Sequence, residues 1–222
     1  MKFLFIFMKF FLFQFLYKVL ILYSQKSALM YAVERNNLEI IKLLLANPSI
    51  EVNRKAYLYK KEWYEFDKDH CVELDEMTPL HSAVKYNNPD IVKHLIDFPD
   101  TDINCKTYYI LHKGRNIWQN KIELKTALHI AVENGNYEMV KILINHPSID
   151  ANIRSYKFES NKECQMTALH IASQKNQSNI VKLLLDSGKL DMNSKDNLGR
   201  TAYQLATDME IKSLFDEYLS IT

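Results

Sequence analysis

The sequence predicts an all-α solenoid, a linear stack of helix-turn-helix units, on three observations. A 27-residue phrase recurs along the chain: "TALHIAVENGNYEMVKILINHPSIDAN" (126–152) and "TALHIASQKNQSNIVKLLLDSGKLDMN" (167–193) agree at 11 positions without a gap. The distance from the opening Ser or Thr to the closing Asn is 26 residues in four copies, 27–53, 78–104, 126–152 and 167–193. The connection from closing Asn to the next opening Thr instead varies, at 25, 22, 15 and 8 residues. Packed elements demand a fixed length and surface loops tolerate a variable one. The rigid part is therefore the stacking unit and the rest projects from it.

Ahead of the first copy, residues 3–23 are apolar at 18 of 21 positions, broken by Lys9, Gln14 and Lys18. About 20 apolar residues cross a bilayer, but two internal lysines are costly there. A cleaved signal would need a small-x-small site that "LYSQKSA" lacks. Lys9 and Lys18 fall on opposite sides of a helical wheel, which disfavours an amphipathic surface helix. A membrane span, a signal and a leader bypassed by a start at Met8 all remain open for residues 1–23.

Within each copy, the opening Ser27, Thr78, Thr126 or Thr167 can cap a first helix. Nine residues later stand Asn36, Asn87, Gly135 and Asn176, types that enter the left-handed region cheaply, so the first helix ends there. A second helix follows with one apolar stripe, Ile40, Ile41, Leu44 and Leu45 in copy one and Met139, Val140, Leu143 and Ile144 in copy three. Pro48, Pro99, Pro147 and Gly188 then stop it. Such a helix pair cannot bury its own apolar faces, and stacking on the next copy covers them.

The strings Thr78-Pro79-Leu80-His81-Ser82-Ala83, Thr126-Ala127-Leu128-His129-Ile130-Ala131 and Thr167-Ala168-Leu169-His170-Ile171-Ala172 resemble the T-P-L-H-x-A signature of ankyrin repeats. "KDNLGRTAYQLA" (195–206) resembles that family's D-x-x-G-x-T lead-in. The resemblance implies an ankyrin-repeat solenoid at 24–222, with repeats near 24–53, 75–104, 123–152, 164–193 and 196–222 and β-hairpin fingers along one edge. It also implies a protein-binding surface and no catalytic activity. Copies one and five carry Met30 and Gln204 in place of the His, and copy five is short, as expected of terminal units. The fingers are enlarged, since a period of 33 residues leaves only about seven between closing Asn and next Thr.

Composition narrows the chemistry. With 28 basic and 27 acidic residues, no whole-chain field points to nucleic acid or an acidic substrate. Three scattered cysteines read as reduced thiols in a cytoplasmic setting, without a disulfide framework or zinc site. Four glycines and no phosphate-binding string leave no nucleotide loop, and neither a cofactor nor a small-molecule substrate is expected. His81, His129 and His170 recur about one repeat apart, on the order of 10 Å by helix packing, too far to share an ion; structural bonds to backbone are the expected role. "DKDHC" (67–71) reads as a solvated loop, and no metal is expected.

The binding candidates lie in the connections. The first (54–77) holds Tyr59, Trp63 and Tyr64, the second (105–125) holds Tyr108, Tyr109, Arg115 and Trp118, and the third adds Tyr156 and Phe158. Aromatics and Arg dominate binding hot spots, and these residues with the groove lined by the first helices are the expected contacts for a protein partner. The competing reading has finger packed on finger: "TYYILHK" and "NIWQNKIEL" look like two strands of one hairpin. Formal charges of −2 on connection one and +4 on connection two would favour such contact. A second function stays open: a membrane-anchored module, the cytosolic part of a receptor or channel assembly held by residues 3–23.

Overall fold

The computed structural model describes residues 26–63, 70–113, 121–159 and 162–221. The apolar segment 3–23 lies outside the described residues. In chain order, α1 (Ala28–Glu34) and α2 (Leu38–Leu45) lead into strands β1 (Ala56–Trp63) and β2 (His70–Met77). Then come α3 (Pro79–Lys85), α4 (Pro89–Ile96), β3 (Tyr108–Lys113) and β4 (Lys121–Leu124). The third unit is α5 (Ala127–Glu133) and α6 (Tyr137–Asn145), followed by β5 (Tyr156–Glu159) and β6 (Lys162–Cys164). The chain ends with α7 (Ala168–Gln174), α8 (Ser178–Asp186), α9 (Ala202–Leu205) and α10 (Met209–Ile221).

The first helices form one layer, α1 on α3 on α5 on α7 on α9, and the second helices another, α2 on α4 on α6 on α8 on α10. A single apolar cluster runs between them from Leu29 to Phe215. The stacked helix pairs of an ankyrin-type solenoid are thus present, and each unit buries its apolar face on its neighbours.

Local chemistry sets the helix limits. Thr78, Thr126 and Thr167 each accept at Oγ1 from the backbone N–H of the His three residues on. Each hydroxyl lies 2.7 Å from the Nδ1 of that His. The Nε2 of His81, His129 and His170 lies 2.9, 3.2 and 3.1 Å from the carbonyl oxygens of Cys105, Met166 and Arg200, in the connection leading to the next unit. A carbonyl only accepts, so Nε2 carries the proton and Nδ1 receives one from the threonine. This neutral tautomer ties each helix start to the following connection. Burial drives the His81 and His129 pKa down to about 4, and it lowers His170 as well. The turns between paired helices are left-handed, with φ of 53° at Asn36, 58° at Asn87, 66° at Gly135 and 53° at Asn176; short amides and glycine occupy this region at low cost.

The closing asparagines cross between units. Asn104 donates from Nδ2 to the Ser148 carbonyl at 2.8 Å and accepts the Asp150 N–H at 2.9 Å. Asn53 does the same with Asp100 and Asp102, and Asn152 with Lys189 and Asp191. Asn104→Ala is expected to cost about 1–2 kcal/mol, two neutral hydrogen bonds at an exposed site, and urea unfolding measures it.

The fingers do not project as separate arms. Their six strands join edge to edge in the order β1-β2-β3-β4-β5-β6, every neighbouring pair antiparallel. The geometry is commensurate: each connection supplies two strands about 4.8 Å apart, and stacked helices advance about 8–10 Å per unit. Successive hairpins therefore arrive at hydrogen-bonding distance. The last connection is too short for strands, and Asp196 instead closes a turn by accepting the N–H groups of Leu198 and Arg200 at 2.9 and 2.8 Å.

Candidate functional site

Side chains of a strand alternate between the two faces of its sheet, so the register of the ladders sorts the finger residues. Tyr59 stands opposite Leu74, Leu74 opposite Ile110, Ile110 opposite Ile122, and Ile122 opposite Phe158. Beside this row runs another, Tyr57, Glu76 and Tyr108, with Leu124 opposite Tyr156 two strands on. At the far end of the β1–β2 ladder Trp63 pairs with His70. The second face is charged. Asp75 pairs with Tyr109, Tyr109 with Glu123, and Glu123 with Lys157; Lys121 stands opposite Glu159.

The charged face looks toward the first helices. Lys85 of α3 reaches Asp75 at 2.8 Å, and Lys125 lies 2.8 Å from Glu123 and 2.7 Å from Glu133 of α5. Burial alone would raise the Glu123 carboxyl, but the ammonium groups of Lys125 and Lys121 outweigh it and hold its pKa below the usual value. Burial likewise opposes the Lys125 charge, and Glu133 and Glu123 together raise its pKa. Between the sheet and α5 and α7 lies a groove of about 700 Å³, lined by Glu123, Lys125, Glu133, Lys157, Glu159 and Lys175 over an apolar floor that includes Ile171. Lys125 pairs with Glu123 and Glu133 and Lys157 with Glu159, while Lys175 donates to the Glu133 carbonyl, which makes the groove polar with little net charge.

The other face carries no such cover among the described residues. Leu74, Tyr108, Ile110, Ile122, Leu124, Tyr156 and Phe158 are all half-buried. None belongs to the core cluster or to the side chains packed against it. They form a continuous apolar strip across β2 to β5.

Of the residues singled out from sequence, Tyr108 lies on this strip, and the backbones of Tyr59 and Trp63 pair with Leu74 and His70 in the β1–β2 ladder. Tyr109 takes the opposite face, where the Lys121 ammonium sits 5.6 Å from its ring centre. The sheet thus separates two neighbours in sequence that the composition of the finger grouped together. Tyr64, Arg115 and Trp118 lie outside the described residues. Among the described residues, the printed pairings of the finger side chains run within one connection or back to a helix, and backbone ladders join connections one and two. Leu74, Ile110, Ile122 and Leu124 were not among the sequence candidates. Their signal was present: Leu74 and Ile122 both stand four residues before an opening Thr, in alternation with charged neighbours.

Among the described residues, no three His, Cys, Asp or Glu side chains converge as a metal site. No described helix is long and apolar enough to cross a membrane.

Comparison with known proteins bears on the whole stack. The family model for ankyrin repeats matches in three overlapping copies, at 56–155, 104–196 and 152–216, and a single-repeat model matches 24–56. The crystal structure of EF0377, an ankyrin repeat protein, superposes with a TM-score of 0.56 at 21% identity, covering 87% of this chain and 80% of that one. The ankyrin repeat domain of Bcl-3, a member of the IkappaB protein family, superposes at 0.59 and 19% identity, covering 87% and 68%. No curated protein matches the sequence. Repeat models that span residues 24–216, on a stack whose capping threonines and left-handed turns recur in register, show that the chain belongs to the ankyrin-repeat family.

Proposed function

We propose that this chain is a non-catalytic scaffold of the cytoplasm that binds a protein partner through the outer face of its finger sheet, with the charged groove as a secondary contact. Ankyrin repeats generally mediate protein–protein interaction. The observation that carries the reading is the apolar strip from Leu74 to Phe158, which is only partly buried and stands apart from the described core. Contiguous apolar patches of this kind, rimmed by charge, mark association surfaces. The strip combines Tyr and Phe with aliphatic residues on a rigid ladder, so little side-chain entropy is lost when a partner covers it. Nucleic acid is disfavoured because three glutamates offset most of the charge of the groove's four lysines.

Affinity capture with the full chain tests this. A partner retained by the native protein is expected to lose tenfold or more in affinity when Tyr108 and Ile122 are both replaced by Ser, about 1.4 kcal/mol or more, with helical circular dichroism unchanged. Trp63→Ala with Trp118→Ala is expected to act in the same direction. Retention of the partner at native affinity by the Tyr108/Ile122 variant would exclude the strip as the binding surface.

A further inference from the structure

A row of cations runs along the base of the outer sheet face, beside the apolar strip. One stands two residues after each closing Asn, at Lys55, Lys106, Arg154 and Lys195, and in the three fingers a tyrosine follows two residues later, at Tyr57, Tyr108 and Tyr156. Thr107 and Ser155, each between a cation and a tyrosine, are buried. Their N–H groups bond the carbonyls of Lys125 and Met166 at 2.7 and 2.8 Å, which carries the ladders down to these positions. By strand alternation Lys106 with Tyr108, and Arg154 with Tyr156, share the outer face. The cations occupy equivalent places: besides burial, Lys55 depresses the pKa of His81, Lys106 that of His129 and Arg154 that of His170.

We infer that this row binds an acidic segment of a protein partner in polyproline II conformation, with a carboxylate at every third residue. The inference rests on the outer sheet face being the binding surface and names the chemistry that face takes.

The first finger shows the pairing within the chain. Glu76, two residues before the capping Thr78, stands opposite Tyr57 and Tyr108 and reaches Lys55 at 2.7 Å. Burial opposes the Lys55 charge, and the Glu76 carboxylate outweighs it and raises the pKa. The positions equivalent to Glu76 in the next three connections are Leu124, Gln165 and Gly199, none of them anionic. Among the described residues Lys106, Arg154 and Lys195 form no ion pair. The acids that precede them most closely in sequence, Asp102, Asp150 and Asp191, accept the N–H groups of Asn104, Asn152 and Asn193. One connection thus supplies its own carboxylate, and three leave that place to another molecule.

Spacing selects the conformation of the occupant. Lys106 and Arg154 stand two strands apart, about 9.6 Å at the usual strand separation, and Arg154 and Lys195 one helix pair apart, about 8–10 Å. A polyproline II helix repeats every three residues, about 9.3 Å, and shows the same face at each repeat. In an ordinary extended strand the third side chain points to the opposite side. Tyr108 and Tyr156 lie next to the cations and are half-buried, and aromatic side chains are the surface on which such a helix packs. Exposed ion pairs are weak one at a time, so affinity comes from their repetition along a rigid ladder.

The test uses the full chain and a fluorescent synthetic peptide of repeated Glu-Pro-Pro triplets, read by anisotropy. The native chain is expected to bind it at least tenfold more tightly than a peptide of the same composition with its glutamates contiguous. Binding is expected to weaken at least tenfold in Lys106→Glu with Arg154→Glu, and to weaken also in Leu124→Glu, which places a carboxylate where Glu76 stands in the first finger. Lys-Pro-Pro triplets are expected to reverse the order and bind the charge-reversed chain better than the native one, with circular dichroism as the control for folding. No binding, equal binding of the two glutamate peptides, or equal binding by native and charge-reversed chains overturns the inference. Tighter binding of phosphatidylserine vesicles or single-stranded DNA than of the peptide assigns the row to that class of ligand and overturns it too. A captured partner that is lost on replacing Tyr108 and Ile122 but held at native affinity by the charge-reversed chain overturns this inference alone. A partner held by both variants removes the strip as the binding face as well.

Discussion

Between pH 7 and pH 4.5 the protein is expected to lose about 5 kcal/mol of stability, because His81 and His129 are buried in the neutral form. Burial lowers their pKa to about 4 from an ordinary 6.5. The unfolded chain therefore binds protons that the folded one refuses. The stabilisation is fully present above about pH 6.5 and declines as pH falls toward 4, with each pKa unit equivalent to about 1.4 kcal/mol. At pH 4.5 that is about 2–3 kcal/mol for each of the two, and His170 acts in the same direction. Among the described residues the carboxyls held below their usual range, Glu123, Glu159 and Asp196, contribute mainly as pH falls through and below the ordinary carboxylate range, so the window above it belongs to the histidines. Urea midpoints at pH 7, 5.5 and 4.5 measure the loss. Gln204 already fills the same cap in the last unit, accepting the Thr201 N–H at 3.0 Å. His81→Gln with His129→Gln is thus expected to fold and to flatten the slope between pH 6.5 and 4.5. An unchanged slope would show that other groups take up the protons.

Leu143→Ala is expected to cost about 2–5 kcal/mol, the range for emptying a fully buried leucine site. Leu143 is 0% exposed in α6, packed between α4 and α8 in the middle of the stack. The equivalent Leu44→Ala in α2 is expected to cost less, since Leu44 is only partly buried in the first described unit. Because each unit contacts only its neighbours, the central cavity weakens two interfaces at once. The Leu143 variant is expected to unfold with a lower midpoint and a shallower denaturant dependence, while the Leu44 variant keeps the native slope. Calorimetry and urea unfolding distinguish the two.

The helical part of the fold was legible because its constraints are local. A threonine cap, an Asn or Gly in the left-handed region and a helix stop each act within a few residues, so Thr126, Gly135 and Pro147 mark one unit without reference to any other. The sheet was less legible. "TYYILHK" announces a strand and "NIWQNKIEL" its hairpin partner, a pairing the structure keeps as β3 with β4, but nothing in either string says that β2 lies on the other side; that follows from the match between helix-stack rise and strand spacing, a property of the assembly. Tyr108 and Tyr109 show the effect most clearly, being identical in type and adjacent in sequence and yet assigned to opposite faces by one residue of register. The closing asparagines recur in the sequence, but Asn104 gives no sign there that both ends of its amide reach Ser148 and Asp150 in the next unit.

Most stacks of helix pairs are elastic, since their units touch through side chains that slide and repack. Here one margin is bound by main-chain ladders running from β1 to β6 across the first four helix pairs. Stretching or untwisting that margin means breaking backbone bonds, whereas the opposite margin remains free to flex. The superhelix is accordingly stiff along one side and compliant along the other, and it is expected to yield to force first near its C-terminal end, where the short Asp196 turn replaces the ladder.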